Sequence, residues 1–82
     1  MDDPLRGLLD LSRRAAEPLA RQLTGQLRSL IADGRLRPGQ RLPSSRVLAR
    51  SLGISRNTAS QAIEQLVAEG YLVASQSRRP VV

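Results

Sequence analysis

The three residues Gly53-Ile54-Ser55 constrain this chain more than any other feature. They separate two stretches that each carry a helical apolar pattern. On the upstream side, Ser44 or Ser45 is placed to cap a helix ending at Leu52, with Val47, Leu48, Ser51 and Leu52 expected to face inward. On the downstream side, Ser55 caps a helix over 55–69 in which Ala59, Ala62, Ile63, Leu66 and Val67 share one face, and Gly70 closes it. Gly53 stops the first helix, and Ile54 is an apolar plug in the turn. Two short helices joined by a three- or four-residue turn containing glycine form a helix-turn-helix.

The remainder of the chain supplies what such a pair needs to pack against. Leu19, Leu23, Leu27, Leu30 and Ile31 form one stripe on a helix beginning at Pro18, which suits a first helical turn, and ending at Gly34, which suits a left-handed stop. Gly25 interrupts that helix and reads as the mark of a close contact. Pro38-Gly39 is a turn, and Gln40 to Leu42 a short extended piece, because Pro43 disfavours helical geometry in the residue before it. After Gly70, Tyr71 to Ser75 reads as a strand, "QSRR" as a basic turn and "PVV" as a return strand. The expected class is therefore mainly α with a small β wing: a three-helix core plus a two- or three-stranded antiparallel sheet, over residues 18–82. Residues 1–17 show no clear period and are expected to form a partly ordered N-terminal arm.

Composition narrows the function. The 82 residues carry a formal charge of +6, with 13 arginines and no lysine. Residues 1–12 hold Asp2, Asp3 and Asp10 against Arg6. Residues 13–82 hold the other 12 arginines against Glu17, Asp33, Glu64 and Glu69, a net of +8. A small domain so basic attracts polyanions. The absence of cysteine and histidine excludes a disulfide framework, a zinc site and a histidine general base, and the absence of lysine excludes Schiff-base chemistry. No apolar run is long enough to span a bilayer and no signal peptide is visible, so the expected location is cytoplasmic.

The outer face of helix 55–69 decides among polyanions. It carries Arg56, Asn57, Ser60 and Gln61 ahead of Glu64, where a helix dressed only for solubility carries Glu and Lys. In a helix-turn-helix the second helix enters the major groove with its N-terminal residues nearest the bases. Arg56 suits paired hydrogen bonds to guanine or a phosphate clamp, and Asn57 and Gln61 suit adenine. Ser55 and Thr58 suit phosphate, aided by the helix dipole. Arg46 and Arg50 suit the backbone beside the groove. Arg78 and Arg79, between the last strands, suit the minor groove or a phosphate as a wing. The bland reading of Ser55 is a cap, that of Asn57 and Thr58 an ordinary first turn, and that of Gln61 a solvated side chain. Glu64 is left between pairing with Arg50 and contacting cytosine.

The stretch "PLARQLTGQLRSLIADGRLRPGQRLPSSRVLARSLGISRNTASQAIEQLVAEGYL" resembles the N-terminal winged-helix domain of GntR-family bacterial transcription regulators. The wording "LPSSR-x-LA-x-x-LG-x-SRNT" is most similar to the MocR branch. The resemblance covers about residues 18–75. It implies a DNA-binding domain that precedes an effector or oligomerisation domain. In the MocR branch that second domain is similar to a fold-type I aminotransferase and binds pyridoxal phosphate, so this chain itself is expected to hold no cofactor. The resemblance also implies DNA contact by the arginine of "LPSSR" and by the one opening the recognition helix, here Arg46 and Arg56, with Ser44 and Ser45 in the same motif. Two positions depart from the family pattern. The wing has "SQSRRPVV" where a "GSGT" tip is usual, and Ala20 stands where "PLYRQ" has tyrosine. The chain reads as a domain cut from a longer regulator, with a stand-alone variant as the alternative.

The leading expectation is a non-enzymatic, sequence-specific binder of double-stranded DNA. As this fragment it would be a monomer or weak homodimer, and in a full-length protein a dimer. A protein-interaction module would need an exposed apolar surface, yet the outer face of helix 55–69 is polar except for Ala68. Single-stranded RNA binding would need aromatic platforms, and Tyr71 is the only aromatic residue.

Overall fold

The computed structural model describes residues 7–74 and 79–82. Three helices follow in order: α1 Leu19–Ala32, α2 Ser45–Leu52 and α3 Arg56–Ala68. α1 and α2 each pack against α3, which lies between them. Leu23, Leu27 and Leu30 of α1, Leu48 and Ala49 of α2, and Ala59, Ala62 and Leu66 of α3 build the core, together with Leu36, Leu42 and Leu72 from the connections. Each fully buried leucine contributes about 1.5–3 kcal/mol relative to an exposed one. The two alanines of α3 let the neighbouring helices approach.

Local chemistry explains the ends. Pro18 is the N-cap of α1 rather than a residue of its first turn, and its carbonyl accepts from Gln22 N at 3.0 Å. Gly34, with φ +84°, reverses the chain after α1, and Leu36 N then reaches Leu30 O at 3.1 Å. Ser44 caps α2 by accepting from Val47 N, so of the two serines weighed for that role it is the first that serves. Gly53 ends α2 in the left-handed region, and Ile54 N bonds Ala49 O at 3.0 Å. Ile54 packs partly buried on the core, as a plug should.

Three expectations need correction. Val47 and Ser51 face outward, with Val47 51% exposed, while Ala49 is buried. α2 has only two turns, and its core stripe is Leu48, Ala49 and Leu52. Gly25 marks no close contact, since a Cβ there would meet nothing within 4 Å. The expected strand 71–75 is reduced to a bridge at Val73, and Ser75 lies outside the described residues.

The sheet is minimal. Val81 bridges antiparallel to both Val73 and Arg41, so the return segment lies between the other two. Val73 N donates to Val81 O at 2.6 Å and Val81 N to Val73 O at 2.9 Å. On the other side Leu42 N donates to Pro80 O at 2.8 Å, and Val82 N to Gln40 O at 2.9 Å. The segment before α2 is thereby tied to the end of the chain.

Candidate nucleic-acid interface

Between Asp33 and Glu64 the chain has no carboxylate, yet it carries Arg35, Arg37, Arg41, Arg46, Arg50 and Arg56. This acid-free stretch contains all of α2 and the first two turns of α3. The fold therefore concentrates positive charge where the two helices meet. Arg35 is spoken for by Asp33, at 3.8 Å. No carboxylate pairs with Arg46, Arg50 or Arg56 among the described residues, and all three are exposed.

Ser55 organises the start of α3. Its Oγ accepts from Thr58 N at 3.0 Å and lies 2.7 Å from Thr58 Oγ1. One hydroxyl of that pair donates to the other, which leaves the proton of the second hydroxyl uncommitted by that bond. Both readings of Ser55 are thus compatible: it caps the helix, and the capped pair still offers a donor. Arg56, Asn57, Gln61 and Glu64 are exposed, and Ser60 and Thr58 half-buried. On α2, Ser44 and Ser45 are half-buried at the N-terminus while Arg46 and Arg50 project into solvent. Residues 44–61 thus present every candidate of the two helices on elements that adjoin through one glycine turn.

The wing candidates separate. Arg78 lies outside the described residues. The Arg79 side chain donates from Nε to Leu42 O at 3.1 Å, and a guanidinium NH2 lies 3.5 Å from Arg41 O. It fastens the last segment to the segment before α2. The suggested Glu64–Arg50 pair does not form among the described residues. Glu64 instead lines an open groove of about 870 Å³ between α1 and α3, with Gln61, Ala20 and Arg21. Ala20 contributes only a methyl group to the lining of that groove.

Two further sets of contacts carry no periodic signal in the sequence. Arg28 of α1 grips Glu69 at 2.7 Å, with its guanidinium 5.8 Å from the centre of the Tyr71 ring. Gln65 Nε2 also donates to Glu69 at 2.6 Å. The hydrogen bond from Gln65, then that from Arg28, lowers the Glu69 carboxyl below its ordinary value. This cluster sets the far end of α3 against α1. The other set anchors residues 7–17 along α1, where Leu9 and Leu11 pack against the core and Arg13 reaches Gly53 O.

No group of three or more acidic, histidine or cysteine side chains that could hold a metal occurs among the described residues. No helix among them is long and apolar enough to cross a membrane.

A capped helix presenting amides and a guanidinium, preceded by a short basic helix and followed by a small antiparallel wing, defines a winged helix-turn-helix. The chain belongs to the gntR family of bacterial regulatory proteins, whose family model matches residues 19–82. It is similar to the probable rhizopine catabolism regulatory protein MocR of Rhizobium meliloti, with 46% identity over 65 residues. That match covers 79% of this chain but only 13% of MocR, so the chain spans about an eighth of that relative's length. YtrA from Sulfolobus acidocaldarius, a GntR-family transcription factor, superposes with a TM-score of 0.85 at 39% identity, covering 93% of this chain and 80% of YtrA. The AraR DNA-binding domain in complex with operator ORX1 superposes with a TM-score of 0.78 at 28% identity, covering 90% of this chain and 95% of AraR's.

Proposed function

We propose that this chain is the sequence-specific double-stranded DNA-binding domain of a bacterial transcription regulator, with α3 as the helix that enters the major groove. The observation that carries this reading is the exposed N-terminal half of α3, Arg56, Asn57 and Gln61, set in a 30-residue stretch free of carboxylates. Asn and Gln supply a donor and an acceptor on one planar group, which matches the adenine edge, and Arg matches guanine. Arg46 and Arg50 grip phosphates and fix the register of α3. The likeness to a domain crystallised on its operator supports the docking mode.

The module works by binding and not by catalysis, and it acts in the cytoplasm, where the DNA is. Alone it is a monomer or weak dimer, and two copies cover a repeated half-site. The chain spans about an eighth of MocR's length, and the reading extends to a longer regulator that acts as a dimer. Any pyridoxal phosphate is held outside these residues, because the chain has no lysine to carry it as a Schiff base.

The test is binding of the 82-residue chain to duplex DNA across a salt series. Each neutralised phosphate contributes about −0.9 to the slope of log K against log salt, so five arginine contacts give about −4 to −5. Arg56→Ala should cost about 1–3 kcal/mol on the preferred site and relax preference at one base pair. A flat salt response would remove the electrostatic basis of the reading. A uniform loss across all sequences would make Arg56 a phosphate clamp and not a base reader.

A further inference from the structure

The segment before α1 is docked through a side-chain ladder. Asp10 N donates to Gln26 Oε1 at 2.7 Å, and Gln26 Nε2 donates to Asp10 O at 2.6 Å. Ser12 N donates to Gln22 Oε1 at 2.9 Å, and Gln22 Nε2 donates to Ser12 O at 2.9 Å and to Glu17 O at 2.6 Å. Two glutamine amides thus satisfy both backbone groups of two alternate residues, as a partner strand would. The spacings agree: four helical residues rise about 6 Å, and two extended residues about 6.6 Å. Gln22 is itself buried, so the ladder is part of the packed structure.

The ladder delivers Arg13. Its guanidinium donates to Gly53 O at 2.6 Å, across 40 residues of sequence, at the turn between α2 and α3. A carbonyl uses one N–H of five and neutralises no charge. Arg50 lies three residues before that carbonyl and Arg56 three after, both exposed. The described residues place no carboxylate on Arg13 to balance it. One guanidinium therefore sits on the turn, and two more exposed arginines lie within three residues of it in sequence, at the start of the proposed reading helix. An anion brought to that turn meets positive charge with no competing carboxylate among the described residues.

We propose that Arg13, held at Gly53 by the docked arm, is a further DNA-contacting residue that grips a backbone phosphate beside the recognition helix. The inference rests on the DNA-binding reading and adds to it a contact from outside the helix-turn-helix. Gln22 and Gln26 act as positioning residues, because they fix where the arm places that charge. The rival role for Arg13 is to satisfy the Gly53 carbonyl just past the end of α2 without touching DNA.

Four proteins decide between these: the parent, Arg13→Ala, Arg13→Gln and Arg13→Lys, each titrated with a duplex carrying the parent's selected site and with an unrelated duplex, over a salt series. Thermal melts accompany each, and since Arg13 is exposed all four should fold. Under the proposal Arg13→Ala and Arg13→Gln lose affinity by a similar factor on both duplexes. Their log–log salt slope becomes shallower by about one phosphate, or 0.9, while Arg13→Lys keeps the parent slope. If all four slopes coincide, or if Arg13→Gln restores the parent's affinity, Arg13 serves the turn alone and the proposal is overturned. A parent that binds neither duplex would instead defeat the DNA-binding reading itself, which keeps the two failures apart.

Discussion

Ser55 has two roles that a pair of substitutions separates. Its hydroxyl accepts from Thr58 N at 3.0 Å. Ser55→Ala removes that cap at a cost of about 1 kcal/mol. For a domain of this size, 1 kcal/mol corresponds to a fall in Tm of about 4–8 °C. Ser55→Asp retains a capping oxygen and places a negative charge at the positive end of the α3 dipole, which stabilises by about 0.3–1 kcal/mol. Its Tm should equal or exceed the parent's. DNA binding should move the opposite way. A carboxylate about 4 Å from a phosphate is repelled by about 1 kcal/mol in water and by up to about 4 kcal/mol at an effective dielectric of 20. The aspartate variant should therefore bind duplex at least about fivefold more weakly than the parent despite its higher melting point. Circular dichroism melts and fluorescence anisotropy titrations at one fixed salt concentration read the two quantities. An aspartate variant that melts like the parent and binds DNA equally well would show that the start of α3 does not approach phosphate. One that melts below Ser55→Ala would show that the capping geometry is wrong.

Other perturbations probe the scaffold. Leu66→Ala empties a fully buried position between α3 and its neighbours. It should cost about 2–5 kcal/mol, comparable with the whole stability of a small domain, so chemical denaturation should show little folded protein. Gly53→Ala meets no steric neighbour within 4 Å but holds φ at +68°, so it should cost about 1–2 kcal/mol from backbone geometry alone, measurable as a lower denaturation midpoint. Glu69 has its carboxyl lowered by Gln65 and Arg28. A lowered folded-state value means that its stabilising contribution is present above the ordinary carboxyl range. That contribution fades as the pH falls below about 4.5 through the depressed folded value. The melting temperature of Glu69→Gln should accordingly lie below the parent's at neutral pH, and the gap should close in acid.

What the sequence disclosed follows from how local each signal is. The helix ends around Ser44, Gly53, Ser55 and Gly70 were legible to within a residue, because a capping hydroxyl or a left-handed glycine acts on its immediate neighbours. The apolar stripe of α3 was legible because Ala59, Ala62, Ile63, Leu66 and Val67 recur along a helix of 13 residues. In α2 two turns are too few to fix the inward direction, so the apolar pattern favours Val47 and Ser51 where the fold buries Ala49, a residue too small to mark a face. The candidates on residues 44–61 adjoin because helix geometry and one short turn relate them. Arg79 depends on a contact with residues 41 and 42, and Arg13 on glutamines a dozen residues away, so neither placement has a local signature. The arm lacks a period altogether: its partners are amide side chains, which can bond in many ways, and only the folded α1 aligns them.

The central claim is that the polar face at the start of α3 reads base edges. Selection of duplexes from a random pool by the parent chain, by Asn57→Ala and by Gln61→Ala tests it most directly. A reading helix yields one enriched motif for the parent, and each variant loses preference at its own discrete base pair while the remainder of the motif survives. Recovery of no motif by the parent, or of the same motif by all three proteins, would contradict the assignment.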